Sequence, residues 1–254
     1  MKKMPVLFVG HGSPMNAIEN NAFTRGWEDL AGKIPKPKAI LSVSAHWTSR
    51  GTKTSDAVAP QQIYDMYGFP PELYELRYEP AGAPDWARQV QRLVPEVTID
   101  NSWGIDHGTW SVLCRMYPAA DIPVFQLSLA RGVPAQRHFE LGQQLRSLRE
   151  QGVLILGSGN IVHNLGRVSW SMDGGFDWAL EFDQYIETAI CGRHFDAVID
   201  YNRAGESAQH AFNTTEHFDP LLYVLGATDE TDLITVFNKA CTLGSISMTS
   251  YLFE

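Results

Sequence analysis

Short contiguous apolar runs alternate along the chain with segments whose apolar residues recur every three or four positions. The runs at residues 5–9, 39–44, 122–129 and 153–156 are too short for helices and read as strands, the last of them buried. Helical spacing covers residues 84–93, where Pro84 suits the first turn. Another helix opens at Pro134, sets Phe139, Leu141, Leu145 and Leu148 on one face, and stops at Gly152. A third covers residues 176–190, with Phe182, Ile186 and Ile190 on one stripe, and residues 220–225 form a short helix closed by Gly226. Residues 245–253 alternate in part and read as a last strand. Strands alternating with helices predict an α/β fold. No repeat, low-complexity tract or long polar linker divides the chain, so residues 1–254 are expected to form a single domain.

Composition narrows the partners. The 254 residues carry 20 Lys plus Arg against 29 Asp plus Glu, a net charge of −9, and 44% are hydrophobic. That balance excludes disorder and lacks the basic footprint that nucleic acid requires. Lys33, Lys36 and Lys38 are interrupted by prolines and read as a solvated loop. Three cysteines, Cys114, Cys191 and Cys241, form no CxxC, and read as free thiols in a reducing compartment. The apolar run after Lys2-Lys3 is too short for a signal peptide, and no stretch approaches a membrane span. The expected location is the cytoplasm, with neither nucleic acid nor membrane as a partner.

The candidate chemistry is histidine chemistry. Of eight histidines, His138, His194 and His210 have no special company and read as structural. Five others are distinctive. His11 lies in Gly10-His11-Gly12-Ser13-Pro14, where the glycines allow a sharp turn and close ligand approach. No Lys-Ser/Thr follows, which disfavours a phosphate loop. His46 continues the polar face of Ser42 and Ser44 at a period of two. His163 follows Gly157-Ser158-Gly159-Asn160, a glycine-rich turn without the full GxGxxG pattern. These three fall at or just past strand carboxyl ends, the edge where α/β sheets bind ligands. His107 lies in an open loop between Trp103 and Trp110, two rings able to wall an aromatic ligand. Glu216 and His217 precede Asp219 and Pro220, which read as the N-cap and first residue of a helix. Imidazole suits zinc, copper, iron and nickel. A catalytic metal site takes three protein ligands and keeps a position open, so five histidines allow three ligands and two acid, base or hydrogen-bonding groups.

Taken in order, Gly10-His11-Gly12-Ser13-Pro14, Ser44-Ala45-His46-Trp47, Asp106-His107-Gly108, Gly157-Ser158-Gly159-Asn160 with His163-Asn164-Leu165, and Glu216-His217 with Pro220-Leu221-Leu222 form a specific set. The set resembles the class III extradiol ring-cleavage dioxygenases, the LigB-like superfamily, and within it the DOPA 4,5-dioxygenase branch. The resemblance runs from about Pro5 to the C-terminus. It implies one three-layer α/β/α domain around a mixed, largely parallel sheet. It implies His11, His46 and His217 as metal ligands, His163 as the acid/base residue beside the metal or a fourth ligand in zinc-bound members, and His107 as a donor to substrate or oxygen. More distant relatives use two histidines and a carboxylate, which keeps Glu216 open as the third ligand. Thr214 and Thr215 stand where close relatives often carry prolines, which bears on loop geometry.

The implied reaction opens a catechol ring, L-DOPA by the branch, with O₂ to give a semialdehyde acid. Fe(II) is the cofactor expected for activity. Zinc has no redox chemistry and is expected as an occupant that supports no ring opening. Two rival readings use the same residues: a zinc-dependent hydrolase, and a non-enzymatic metal-binding relative of the same fold. A tetrapyrrole chelatase shares the first Gly-His-Gly-Ser turn but has no need of the later motifs.

Overall fold

The computed structural model describes residues 3–254. Its strands are β1 (Val6–Gly10), β2 (Ala39–Ser49), β3 (Lys53–Thr54), β4 (Thr98–Ile99), β5 (Val124–Ala130), β6 (Val153–Gly159), β7 (Ile234–Phe237), β8 (Cys241–Thr242), β9 (Ile246–Ser247) and β10 (Ser250–Phe253). Its helices are α1 (Ala22–Ala31), α2 (Pro71–Glu75), α3 (Pro84–Leu93), α4 (His107–Met116), α5 (Ala135–Leu145), α6 (Asp177–Cys191), α7 (Phe195–Ile199), α8 (Glu206–Ala211) and α9 (Asp219–Ala227). The main sheet runs β4-β3-β5-β2-β6-β1-β10-β7. Its centre, β5-β2-β6-β1, is parallel. On one side β10 and β7 continue it antiparallel, and on the other β3 joins β5 antiparallel.

Successive residues of a strand face opposite sides of the sheet, and here both sides are covered. Val6 and Phe8 pack with Leu145, Phe182 and Leu221 from α5, α6 and α9, whereas Leu7 and Val9 pack with Trp27 and Leu113 from α1 and α4. A strand buried on both sides favours apolar residues at successive positions, as in β1 and the start of β6, while β2 and β5 also bury the polar Ser42, Ser44, Gln126 and Ser128. The result is the expected three-layer α/β/α arrangement around a mixed, largely parallel sheet. At its base the fully buried Arg149 joins the chain ends. It donates to both oxygens of Asp232, at 2.7 and 2.9 Å, and to the Met4 carbonyl at 2.8 Å.

Three local expectations needed correction. β2 continues past Ser44 to Ser49, with its register to β5 shifting between Val43 and Thr48. His46 therefore lies within a bulged strand. The segment around His107 is a helix. Its glycines suggested a loop, but the Asp106 side chain accepts from the Thr109 N–H and starts α4 at His107. Asp219 is the first residue of α9, not its N-cap, and its carboxyl accepts from Thr215 Oγ1.

The glycine-rich end of β6 serves packing. A Cβ on Gly159 would stand 2.0 Å from the His217 carbonyl oxygen, so only glycine lets the His217 turn lie against this strand. Gly159→Ala is expected to destabilise the protein by about 3 kcal/mol in urea denaturation. Gly166→Ala, whose added carbon meets nothing closer than 3.4 Å, should change stability by less than about 1 kcal/mol.

Candidate metal centre

Four strands and turns deliver the histidines to one edge. His11 directly follows β1, and its N–H bonds the Gly159 carbonyl at 3.0 Å, extending the ladder by one residue. Gly12 then turns the chain at φ +60°. The His11 ring is buried, with Nδ1 3.0 Å from Ser158 Oγ. The Ser158 hydroxyl donates to the Gly108 carbonyl, so its oxygen accepts from His11 Nδ1–H. That proton assignment leaves the lone pair on Nε2. His11 Nε2 faces His46 Nε2 at 3.2 Å. His217 comes from the turn Thr215–His217, held against β6 by the Asn160 N–H, which donates to the His217 carbonyl at 2.8 Å. Donor atoms of His11, His46 and His217 all lie within 4.8 Å of one another.

The other two histidines flank this triangle at different corners. His107 sits against His46, ring centroids 3.9 Å apart. His163 stacks on His217 at 3.5 Å and 4°, its backbone held by the Ala211 carbonyl at 2.8 Å. Glu216 is partly exposed: its Oε1 accepts from Thr214 Oγ1 at 2.8 Å and lies 3.8 Å from His217 Nδ1, outside the group formed by His11, His46 and His217. His138 is buried against Tyr223 with Nδ1 3.3 Å from the phenol oxygen and Nε2 3.6 Å from Asp219, and it lines the cleft beside His46 and His217. Trp110 does not wall a ligand, being fully buried with its N–H donated to the Ile63 carbonyl. Asp106 accepts from Ser44, Gln126 and Trp103, which fixes the start of α4 against β2. Sequence reasoning missed Asp65, whose carboxylate lies 3.4 Å from His46 Nδ1 and 3.1 Å from His107 Nδ1. Its neighbours Tyr64 and Met66 form no pattern that singles it out.

Burial and crowding keep His11, His46, His163 and His217 neutral. Burial, then the neighbouring His107, pushes His46 down to about 3. Burial pushes His163 down to about 4, below the ordinary imidazole value on which a proton role was expected. Burial followed by the surrounding imidazoles holds His11 and His217 well below that value too. Neutral rings are what a metal ligand requires. Two nitrogens held by one ion at about 2.1 Å each sit about 3–3.4 Å apart, which matches the His11–His46 spacing. His217 Nδ1 is buried with no hydrogen-bond partner. The residues fit a divalent metal.

A model of the family described as the catalytic LigB subunit of aromatic ring-opening dioxygenase matches residues 6–253. The chain belongs to this family. It is 43% identical to a 4,5-DOPA dioxygenase extradiol of Escherichia coli K12, covering 98% of this chain and 94% of that one. It is 36% identical to a 4,5-DOPA dioxygenase extradiol of Beta vulgaris, covering 97% and 95%. The crystal structure of an uncharacterized Escherichia coli K12 protein superposes with a TM-score of 0.87 at 39% identity, covering 99% of this chain and all of that one. Membership in a ring-opening dioxygenase family implies a non-haem metal, and the imidazole cluster suits one. Among the described residues no helix is long and apolar enough to cross a membrane.

Metal titration distinguishes the two candidates for the third ligand. His217→Ala is expected to lower Zn²⁺ affinity at least about 100-fold in competition with a chromogenic chelator. Glu216→Ala should leave it within about threefold, because its carboxylate is turned to Thr214.

Proposed function

We propose that this chain is a single-domain, cytoplasmic, non-haem Fe(II)-dependent extradiol dioxygenase that opens a catechol ring, with L-DOPA as substrate. The observation that carries the reading is the convergence of three neutral imidazoles, His11, His46 and His217, from separate parts of a chain whose relatives bear that name. Beside them lies a cleft of about 660 Å³, large enough for a small aromatic ligand. His11, His46 and His217 would hold the metal. When bound, Fe(II) supplies the place where both catechol oxygens and O₂ meet and the path for an electron from ring to oxygen.

The chain's own groups supply proton control and recognition. His163, neutral and stacked on His217, takes the proton of the second catechol hydroxyl on a ring nitrogen and returns it as the ring opens. His107, beside His46, would contact substrate or oxygen through Nε2, its Nδ1 being held by Asp65. Among the described residues Arg131 is the only Lys or Arg lining the cleft, and Thr48 holds its guanidinium through Nε to Oγ1 at 2.8 Å. With Glu216 across the same lining, it supports recognition of a zwitterionic amino-acid tail.

Protein loaded anaerobically with Fe(II) and given L-DOPA is expected to consume O₂ and form a yellow ring-opened product. Zinc-loaded protein should do neither, and His163→Gln should lose at least about 100-fold in kcat. No uptake by iron-loaded protein with L-DOPA or simpler catechols, alongside zinc-dependent ester or amide hydrolysis, would sink the proposal. Arg131→Met should raise KM for L-DOPA about tenfold while leaving that for 4-methylcatechol nearly unchanged, as steady-state oxygen traces would reveal.

A further inference from the structure

Asp65 lies outside every motif that marks the histidines, in the loop between β3 and α2. Its carboxylate nevertheless reaches two of them. Oδ2 is 3.4 Å from His46 Nδ1, and Oδ1 is 3.1 Å from His107 Nδ1. Oδ1 also accepts the His107 backbone N–H at 2.9 Å, which anchors the carboxylate on the first turn of α4. Asp65 Oδ2 and His107 Nδ1 are both buried without an aligned hydrogen bond. Leaving such groups unpaired is costly. Both are satisfied once each ring carries its proton on Nδ1, directed at Asp65. That tautomer leaves the lone pair of His46 on Nε2, the atom that faces His11 Nε2 at 3.2 Å.

We propose that Asp65 is a positioning residue, a single carboxylate that fixes the tautomer and rotation of both His46 and His107. His46 thereby presents Nε2 to the metal, and His107 keeps its place beside it. The proposal rests on the metal-centre reading above. Ser158 performs the matching task for His11 through Nδ1, so two of the three ligand rings are oriented from behind. Losing such a partner typically weakens metal binding about 10–100-fold.

The test titrates wild-type, Asp65→Asn and Asp65→Ala chains with Co²⁺ by calorimetry, records the visible spectrum, and measures the Tm of each metal-free protein. The expected result is one ion per wild-type chain, binding about 10–100-fold weaker in both variants with a changed visible band, and a metal-free Tm that does not fall. Affinity within about threefold of wild type in either variant overturns the proposal. A lowered Tm at unchanged affinity does so too, because it marks a merely structural role. Two ions per wild-type chain with one lost in the variants would make Asp65 a ligand, and also overturns it. Wild-type protein that binds no Co²⁺ overturns the metal-centre reading itself, and the proposal with it.

Discussion

Four imidazole rings, those of His11, His46, His163 and His217, crowd one sheet edge, and burial holds them in the uncharged form. A proton on any ring would place a cation in a poorly hydrated space among other rings, with burial the larger penalty and mutual repulsion adding to it. The pKa values of His46 and His163 fall to about 3 and 4 for this reason. The same constraint that makes the cluster costly to protonate makes it a ligand set, since a metal takes the lone pairs that protons are denied. The His11–His46 contact concentrates this tension, with two Nε2 atoms 3.2 Å apart and the His11 tautomer set by Ser158.

The fold exists to hold that arrangement still. Parallel strands β1, β2 and β6 place their carboxyl ends side by side, so residues far apart in sequence arrive together without long loops. Each ring is fixed from a rigid element: His11 by an extra rung of the ladder, His46 within a strand, His107 on a capped helix start, and His217 on a turn pressed against Gly159. Supporting contacts such as Asp106 with Ser44, Gln126 and Trp103 lie one layer behind the rings. Catalytic and binding sites keep their geometry through such backing.

Much of this was legible in the sequence because the central strands are short, mostly apolar runs, interrupted only by buried polar residues such as Ser42 and Gln126. The edge histidines were legible because glycines and small residues surround them. The helix at His107 was not, since its start depends on one Asp106 cap and its interior holds Gly108, a residue that usually argues against helix. The extension of β2 past His46 was hidden by a bulge that breaks the alternation. That His217 rather than Glu216 groups with His11 and His46 was not legible either, because the two residues are adjacent on one turn and spacing does not tell them apart. Asp65 left no sequence mark at all. Its role comes from a loop that returns to α4, and single-chain periodicity carries no information about such a return.

Oxygen-isotope labelling tests the central claim most directly. Iron-loaded protein turns over L-DOPA under ¹⁸O₂, and the mass of the ring-opened product is measured. A non-haem dioxygenase built on these imidazoles puts label from O₂ into the new carboxylate and aldehyde, with allowance for aldehyde exchange with water. A turnover product carrying no label from ¹⁸O₂, with its added oxygen coming from water, would contradict the account and leave the same histidines to hydrolytic chemistry.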